Sequence, residues 1–248
     1  MHKYFHNIYL KMIPYLSGLY LNKNYQIKFF NNQTNENPHI AKHSYELRHK
    51  VYCSELGFEP LSHDMIENDE FDKYSVGCVI FSKKTKQPIA SMRLISLIGV
   101  DAHLKLPFTE TISNIHEVEQ IKNNLNNLKH GEISRLLILN DYRHDRKSKF
   151  QLNYLLLILY ASVIILSKNL DCVVFVCEKK MISLFKKIGV PFSQLSTNGI
   201  EHHGTRYPIK IDITEVNSAL YTDTTTIKII HLFTKILHKK ATQQLKNF

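Results

Sequence analysis

The chain of 248 residues has no C-x-x-C pair, no internal repeat, no zinc-finger spacing and no RNA-binding aromatic signature. Each absence removes a class. The four cysteines, Cys53, Cys78, Cys172 and Cys177, are scattered, and Cys172 and Cys177 lie an odd number of residues apart in a segment that reads as a strand. They therefore point to opposite faces, which argues against a shared metal and for free core thiols in a reducing compartment. His202 and His203 are adjacent, and His39 and His43, at helical spacing, lack a third ligand, so the expectation is no metal site. The absence of zinc and RNA-binding patterns leaves nucleic acid without a reader. The longest apolar run, Tyr154 to Leu166, is interrupted by Ser162 and falls short of the roughly 20 residues a membrane span requires. No cleavable leader is legible either, because His2, Lys3, His6, Lys11 and Pro14 break up the first 22 residues.

What the chain does have is a core and a charge. Hydrophobic residues make up 44%, with 13 Phe and 13 Tyr, enough to exclude global disorder. Lys and Arg number 32 against 22 Asp and Glu, a formal net charge of +10. That surplus suits an acidic partner, whether nucleic acid, an anionic membrane surface or an acidic protein. A lysine-rich, AT-biased coding sequence gives the same total, so the charge does not choose among them.

Hydrophobic period and breakers predict an alternating order. A helix over residues 3–21, kinked or interrupted at Pro14, precedes a strand at Tyr25–Phe30 and a helix from Pro38 to about Leu56, stopped by Gly57. Two strands, Ser75–Ser82 and Pro88–Leu97, form a hairpin. A polar helix over 116–128, a strand at Glu132–Leu139, an apolar helix over 150–168, a buried strand at Cys172–Cys177 and a basic helix over 179–188 follow. Short strands near 192–195 and 206–212 form an edge pair, and a further helix starts at 214–219. The expected class is α/β, an α+β three-layer sandwich with a mixed central sheet flanked by helices. Residues 1–24 read as a helical extension, 25–213 as the domain, and 214–248 as a basic amphipathic tail. In that tail Ile227, Ile230, Phe233 and Leu237 form a stripe beside Lys228, Lys235, Lys239 and Lys240; it either lies on a membrane surface or packs on its own domain.

Charge sits where it is costly. Glu67-Asn68-Asp69-Glu70-Phe71-Asp72 puts four carboxylates in six residues, which repel one another unless they face water or hold something positive. Just upstream, Arg48, Tyr52 and Glu55 share one face of a helix. Arg93 interrupts the apolar strand Ala90-Ser91-Met92-Arg93-Leu94-Ile95, and an unpaired buried charge costs several kcal/mol, so it needs a partner or a cleft. Strand Glu132-Ile133-Ser134-Arg135-Leu136 repeats the anomaly. Glu132 and Arg135 are three apart, so a regular strand places them on opposite faces; both reach one cleft only if the strand bulges. Such a set is either a buried polar network or an active site.

Taken in order, Leu47-Arg48-His49-Lys50-Val51-Tyr52-Cys53-Ser54-Glu55-Leu56-Gly57-Phe58-Glu59, then Glu67 to Ser75, Met92-Arg93-Leu94 and Glu132 to Leu136 resemble the autoinducer-synthase branch of the GNAT acyltransferases. The closest likeness is to PEP-CTERM/exosortase system-associated acyltransferases and N-acyl amino acid synthases. Cys177-Glu178 through Leu184, Gly189-Val190-Pro191-Phe192 and Glu201 to Pro208 echo the C-terminal pattern. The resemblance spans about residues 40–211 and implies a GNAT-like fold that joins an acyl chain to an amine. No tightly bound cofactor is implied; the co-substrate is an acyl-carrier-protein phosphopantetheine thioester or acyl-CoA. By analogy Asp69 and Asp72 hold the amine-bearing part of the acceptor, Glu67 and Glu70 face solvent, and Arg48 and Arg93 shape the cleft. Glu132 assists deprotonation of the amine, directly or through water, and Arg135 braces the carboxylates or meets the pantetheine arm.

One departure bears on the donor. CoA-using GNAT proteins carry a glycine-rich loop whose amides cradle pyrophosphate at a helix N-terminus. Here Asn140-Asp141-Tyr142-Arg143-His144-Asp145-Arg146-Lys147-Ser148-Lys149 has no glycine, and Arg143, Arg146, Lys147 and Lys149 suit an anionic carrier protein or are simply a solvated basic loop. The implied enzyme is cytoplasmic, a monomer or weak dimer, with peripheral contact at the inner membrane face as a further expectation. Two alternatives stay open: a non-catalytic GNAT-like module binding carrier protein, lipid or a partner, and an acyl-homoserine-lactone synthase using S-adenosylmethionine.

Overall fold

An eight-stranded mixed sheet forms the middle layer of the computed structural model, which describes residues 2–97, 106–109, 115–143, 149–196, 198–201, 203–219 and 224–246. The strands are β1 (Tyr25–Asn31), β2 (Ser75–Ser82), β3 (Pro88–Ser96), β4 (His130–Ile138), β5 (Cys172–Glu178), β6 (Ser193–Gln194), β7 (Ile200–Glu201) and β8 (Thr205–Asp212). Their spatial order is β1-β2-β3-β4-β5-β8-β6, with β7 also paired to β8. All pairs are antiparallel except β4 with β5.

The helices are α1 (His2–Asn24), α2 (Pro38–Arg48), α3 (Ile115–Leu125), α4 (Asn140–Arg143), α5 (Lys149–Leu166), α6 (Lys179–Ile188), α7 (Ile213–Ala219) and α8 (Thr225–Gln244). α1 continues through Pro14 without interruption. α2 is shorter than its periodicity suggests, because after Arg48 the chain widens into a π-helical segment, His49–Glu55. The basic loop expected from Asp141 begins instead as the single turn of α4; residues 144–148, and with them Arg146 and Lys147, lie outside the described residues.

Alternation along the strands sorts side chains into two layers. Val79 and Phe81 pack with Phe30, Ile40 and Ala41 under α2, while Cys78 and Ile80 face the main core with Leu155, Ile158 and Leu159 of α5. Cys172 and Val174 join Ile95, Ile121 and Leu125 on the α3 side; Val173, Phe175 and Cys177 face the main core. All four cysteines are buried and unpaired to each other. Gly77 sits where no side chain fits, since a Cβ there would lie 2.4 Å from the Phe30 ring and 2.5 Å from the Met92 carbonyl.

α8 packs on α5, α1 and β1, burying Ile227, Ile230, Phe233, Leu237 and Ala241. Of the two readings of this tail, packing on its own domain is the one observed, and its apolar face is not available to a bilayer. Its C-terminal end reaches the free edge of β1. Gln244 accepts from the Phe29 N–H (2.9 Å) through its side-chain oxygen, and its side-chain amide donates to the Ile27 carbonyl (3.3 Å). Asn37, in the left-handed region at φ 56°, ties the two together by donating to the carbonyls of Phe29 and Gln244. Among the described residues no helix is long and apolar enough to cross a membrane.

Candidate active site

β4 is bulged between Ser134 and Leu137, the irregularity that lets Glu132 and Arg135 share a face. Ser91 pairs with Leu137 and Arg93 with Ser134, so Met92 alone stands opposite Arg135 and Leu136. Arg135 takes the extra turn with φ 50°, a left-handed value that costs a non-glycine residue energy. The bulge turns Arg135 onto the face that carries Glu132, Ser134 and Arg93.

Three guanidinium groups and four carboxylates meet there. Arg48 donates through Nε to Glu67 Oε2 and through Nη1 to Asp72 Oδ1 (2.6 Å). Arg93 grips Asp69 with both terminal nitrogens (2.5 and 2.6 Å), reaches Asp72 Oδ1 (2.8 Å), and donates from Nε to Ser134 Oγ (2.9 Å). Arg135 holds Glu67 (2.7 Å) and Glu59 (3.0 Å) and lies over the Tyr52 ring. Arg48 and Arg93 are 1% and 2% exposed. Charges so dry are tolerable only because each nearly faces its counter-charge. The cluster carries one negative charge in excess.

The network corrects the roles read for the acidic stretch. Glu67 is buried between Arg48 and Arg135 rather than solvated; Glu70 is exposed. Asp72 is also buried, its Oδ1 taken by Arg48 and Arg93 and its Oδ2 by the Asp69 N–H (2.8 Å). It therefore braces the loop and has no face to offer a ligand. Asp69, 25% exposed at its side chain, is the acid of the pair that reaches the surface. Burial pushes its pKa up, but the hydrogen bonds and charge of Arg93, with the charges of Arg48 and Arg135, outweigh this and hold it below the ordinary value. Arg48 and Arg93 are held protonated by their carboxylates against the opposing pull of burial.

Glu132 stands apart from this pairing. It is 5% exposed, its Oε2 accepts the Phe108 N–H (2.9 Å), and no arginine binds it directly among the described residues. Burial pushes its pKa to about 7, more than the Phe108 bond and the charges of Arg93 and Arg135 pull it down. A carboxyl group with this pKa exchanges protons readily near neutrality, as a general base must.

Beside Glu132 the sheet opens. β4 and β5 pair from His130–Cys172 only as far as Ile133–Phe175, although β4 runs on to Ile138 and β5 to Glu178. On the far side of this opening lies a narrow apolar crevice between the two strands, α5 and α6, lined among others by Ile133, Leu136, Phe175 and Phe185. Tyr160 also lines it, and its hydroxyl is buried without a hydrogen-bond partner.

The four basic residues assigned to carrier-protein contact are not brought together by the described structure. Arg143 is engaged with Glu55 (2.6 Å), Lys149 begins α5, and Arg146 and Lys147 are outside the described residues. Residues that sequence reasoning left out are Glu59, Glu67, Ser134 and Tyr160. Ser134 was reachable from the period-two rule, being two residues from Glu132 and therefore on its face. Tyr160 gave no signal, because a tyrosine in an apolar helix reads as core. Among the described residues no group of three or more His, Cys, Asp or Glu is placed to hold a metal ion.

The site thus combines a mixed sheet, one parallel pair that splays, and a buried carboxyl group with a raised pKa. Residues 47–152 match the family model described as an acetyltransferase (GNAT) domain. Among solved structures it is similar to the CoA-dependent acyl-homoserine lactone synthase BjaI with SAM and isopentyl-CoA, at TM-score 0.54 and 17% identity over 84% of this chain and 88% of that one. It is similar to TofI in a ternary complex with an inhibitor and MTA, at TM-score 0.57 and 15% identity over 85% and 99%. The CoA-dependent acyl-homoserine lactone synthase MesI gives TM-score 0.54 and 13% identity over 86% and 95%. At these identities the likeness is one of fold. No curated protein matches the sequence.

Proposed function

We propose that this protein is an N-acyltransferase that moves a fatty acyl group from an acyl-carrier-protein or CoA thioester to the amine of an amino-acid-like acceptor. Glu132 carries the reading: it is a dry carboxyl group titrating near neutrality at the mouth of the β4–β5 opening. The amine nitrogen attacks the thioester carbonyl carbon, the carbon–sulfur bond breaks, and the thiolate leaves. The proton lost by the amine passes to Glu132, directly or through water. Backbone N–H groups along the unpaired edges of β4 and β5 are suitable donors to the developing oxyanion. The excess negative charge of the Arg–Asp–Glu network favours a cationic amine over a neutral or anionic acceptor, and Asp69 is the residue that meets it. Arg48, Arg93, Arg135 and Asp72 hold Asp69 and the loop in place. The acyltransferase body comprises residues 25–213.

For the donor, the glycine-free sequence before α5 supports a carrier protein over free CoA, with Arg143, Arg146, Lys147 and Lys149 as the basic residues that meet it. Arg143 contributes only on release from Glu55.

The test is mass spectrometry of lipid extracts from cells overexpressing the protein. New acylated amines are expected, absent in Glu132→Gln. No product from a folded, abundant protein would overturn the enzyme reading in favour of a binding module. A homoserine lactone headgroup would instead assign S-adenosylmethionine as the acceptor.

A further inference from the structure

The helices α1 and α5, joined through α8, form with it a layer that contains no aspartate or glutamate yet carries eight lysines. All 22 acidic residues lie elsewhere in the chain. α1 turns one side to this layer: Leu21 is fully buried, the Ser17 carbonyl accepts the Tyr154 hydroxyl, and a Cβ on Gly18 would lie 3.0 Å from Leu232 of α8. Its other side bears Met12, Tyr15, Leu16 and Leu19, spaced i, i+3, i+4 and i+7 and each about half exposed or more. Phe150, also exposed in the first turn of α5, extends the ridge by an edge contact with Tyr20, ring centroids 5.6 Å apart. Five of the eight large apolar side chains exposed among the described residues thus lie on one ridge, a patch rather than a scatter. Lys23 continues the same face of α1, and beyond it stand the exposed Lys83, Lys84 and Lys86 of the β2–β3 turn. Lys83 donates from Nζ to the Asn22 carbonyl (2.5 Å) and from its N–H to the Asn24 carbonyl (2.8 Å), which fastens that turn to the end of α1. Burial, and after it the charge of Lys83, lower the Lys240 pKa, as expected where lysines crowd one another.

We infer that this ridge docks the protein on an anionic lipid bilayer: Met12, Tyr15, Leu16, Leu19 and Phe150 enter the interfacial layer, and the lysines at the end of α1 meet the headgroups. An aliphatic and tyrosine stripe edged by lysines is what an interfacial helix presents, and its hold comes from apolar area together with attraction to anionic lipid. A second copy of this chain fits the ridge less well, because pairing would press two lysine-bearing, acid-free layers together. The apolar stripe of α8 plays no part, being spent inside the domain; α8 contributes charge. The assignment uses no property of the site around Glu132 and stands apart from the acyltransferase reading.

The experiment is flotation of the full chain with vesicles of phosphatidylcholine alone and of phosphatidylcholine mixed with phosphatidylglycerol. The chain is expected to float with the mixed vesicles and to bind phosphatidylcholine alone about tenfold more weakly. Leu16→Glu combined with Leu19→Glu should abolish flotation, and Lys83→Glu combined with Lys84→Glu should weaken it about tenfold on the mixed vesicles only. Circular dichroism and thermal melting of each variant separate lost binding from lost folding. Because the chain has no tryptophan, Tyr15→Trp supplies a single indole whose emission should shift to the blue on mixed vesicles and be quenched by lipids brominated on their acyl chains. If the leucine variant unfolds, this fluorescence decides alone. No binding, equal binding to both vesicle types, or binding without the blue shift and quenching would overturn the inference. So would a wild-type chain that is dimeric in solution and that the leucine variant renders monomeric with vesicle binding unaltered, since the ridge would then belong to a second copy.

Discussion

The two sides of β4 solve opposite problems. Towards α2 and the acidic loop, the strand presents Glu132, Ser134 and Arg135 to a buried set of paired charges. Towards α5 it presents Ile133 and Leu137 to the main core. The charged side is held by directional bonds whose partners must all be present; the apolar side is held by area and shape. A single lost partner on the first side leaves a charge stranded, while a lost methyl on the second leaves a small void. The protein thus gains a rigid polar wall and a more forgiving apolar one, separated by the thickness of a strand. The transfer proposed above, from a fatty thioester to an amine, would use both.

The comparison is sharpest at Asp72. Asp72→Ala strands Arg48 and Arg93, and a loss of about 3–5 kcal/mol in denaturant-measured stability is expected. Ile133→Val, one strand face away, should cost about 0.5–1.5 kcal/mol. Similar losses for the two would mean that the charged side is no less forgiving than the apolar one. Glu132→Gln should leave the fold intact and lower the acyl-transfer kcat by about 10²–10⁴-fold, measured with purified protein and a fixed thioester. The wild-type rate should rise with pH through about 7 as Glu132 loses its proton, and the variant should lack that limb. The same carboxyl group makes a stability prediction of definite sign. Between about 4.5 and about 7 the folded state keeps a proton that the unfolded state has released, so stability falls as pH rises across that window and is flat above it. Glu132→Gln removes this slope, and it should be more stable than the wild type at pH 8 by about 1–3 kcal/mol but not at pH 4. The smallest effect belongs to the basic stretch before α5. Reversing Arg146 and Lys147 to glutamate should raise KM for a carrier-protein donor about tenfold and leave a pantetheine donor unchanged, a split checked by steady-state kinetics.

The sequence announced its elements well where period and breakers agree. The hairpin of β2 and β3, the apolar α5 and the basic α6 fall close to their expected bounds because alternation, 3.6-residue spacing, Gly189 and Pro191 leave little choice. It was silent on β7, two residues long, and on the widening of the helix at His49–Glu55, neither of which has a compositional mark. The site was half legible. Arg93 and Glu132 stood out as charges in apolar strands, and the spacing of Glu132 and Arg135 allowed a shared cleft only with a bulge, which β4 has. Which carboxylates face water was not legible, because Glu67 and Glu70 look alike in sequence and only the arrival of Arg48 and Arg135 from other elements buries one and not the other.

Gln244 lays its side-chain amide along β1 as though it were one residue of a further strand, filling hydrogen-bonding positions at a sheet margin that Glu36 and Asn37 cover only at its C-terminal end. The last helix is therefore a lid against self-association as well as a packing element. Removing the tail from residue 240 onward would uncover a ready template for strand exchange, and chains truncated there should form swapped dimers or fibrils on storage although every residue around Glu132 is still in place.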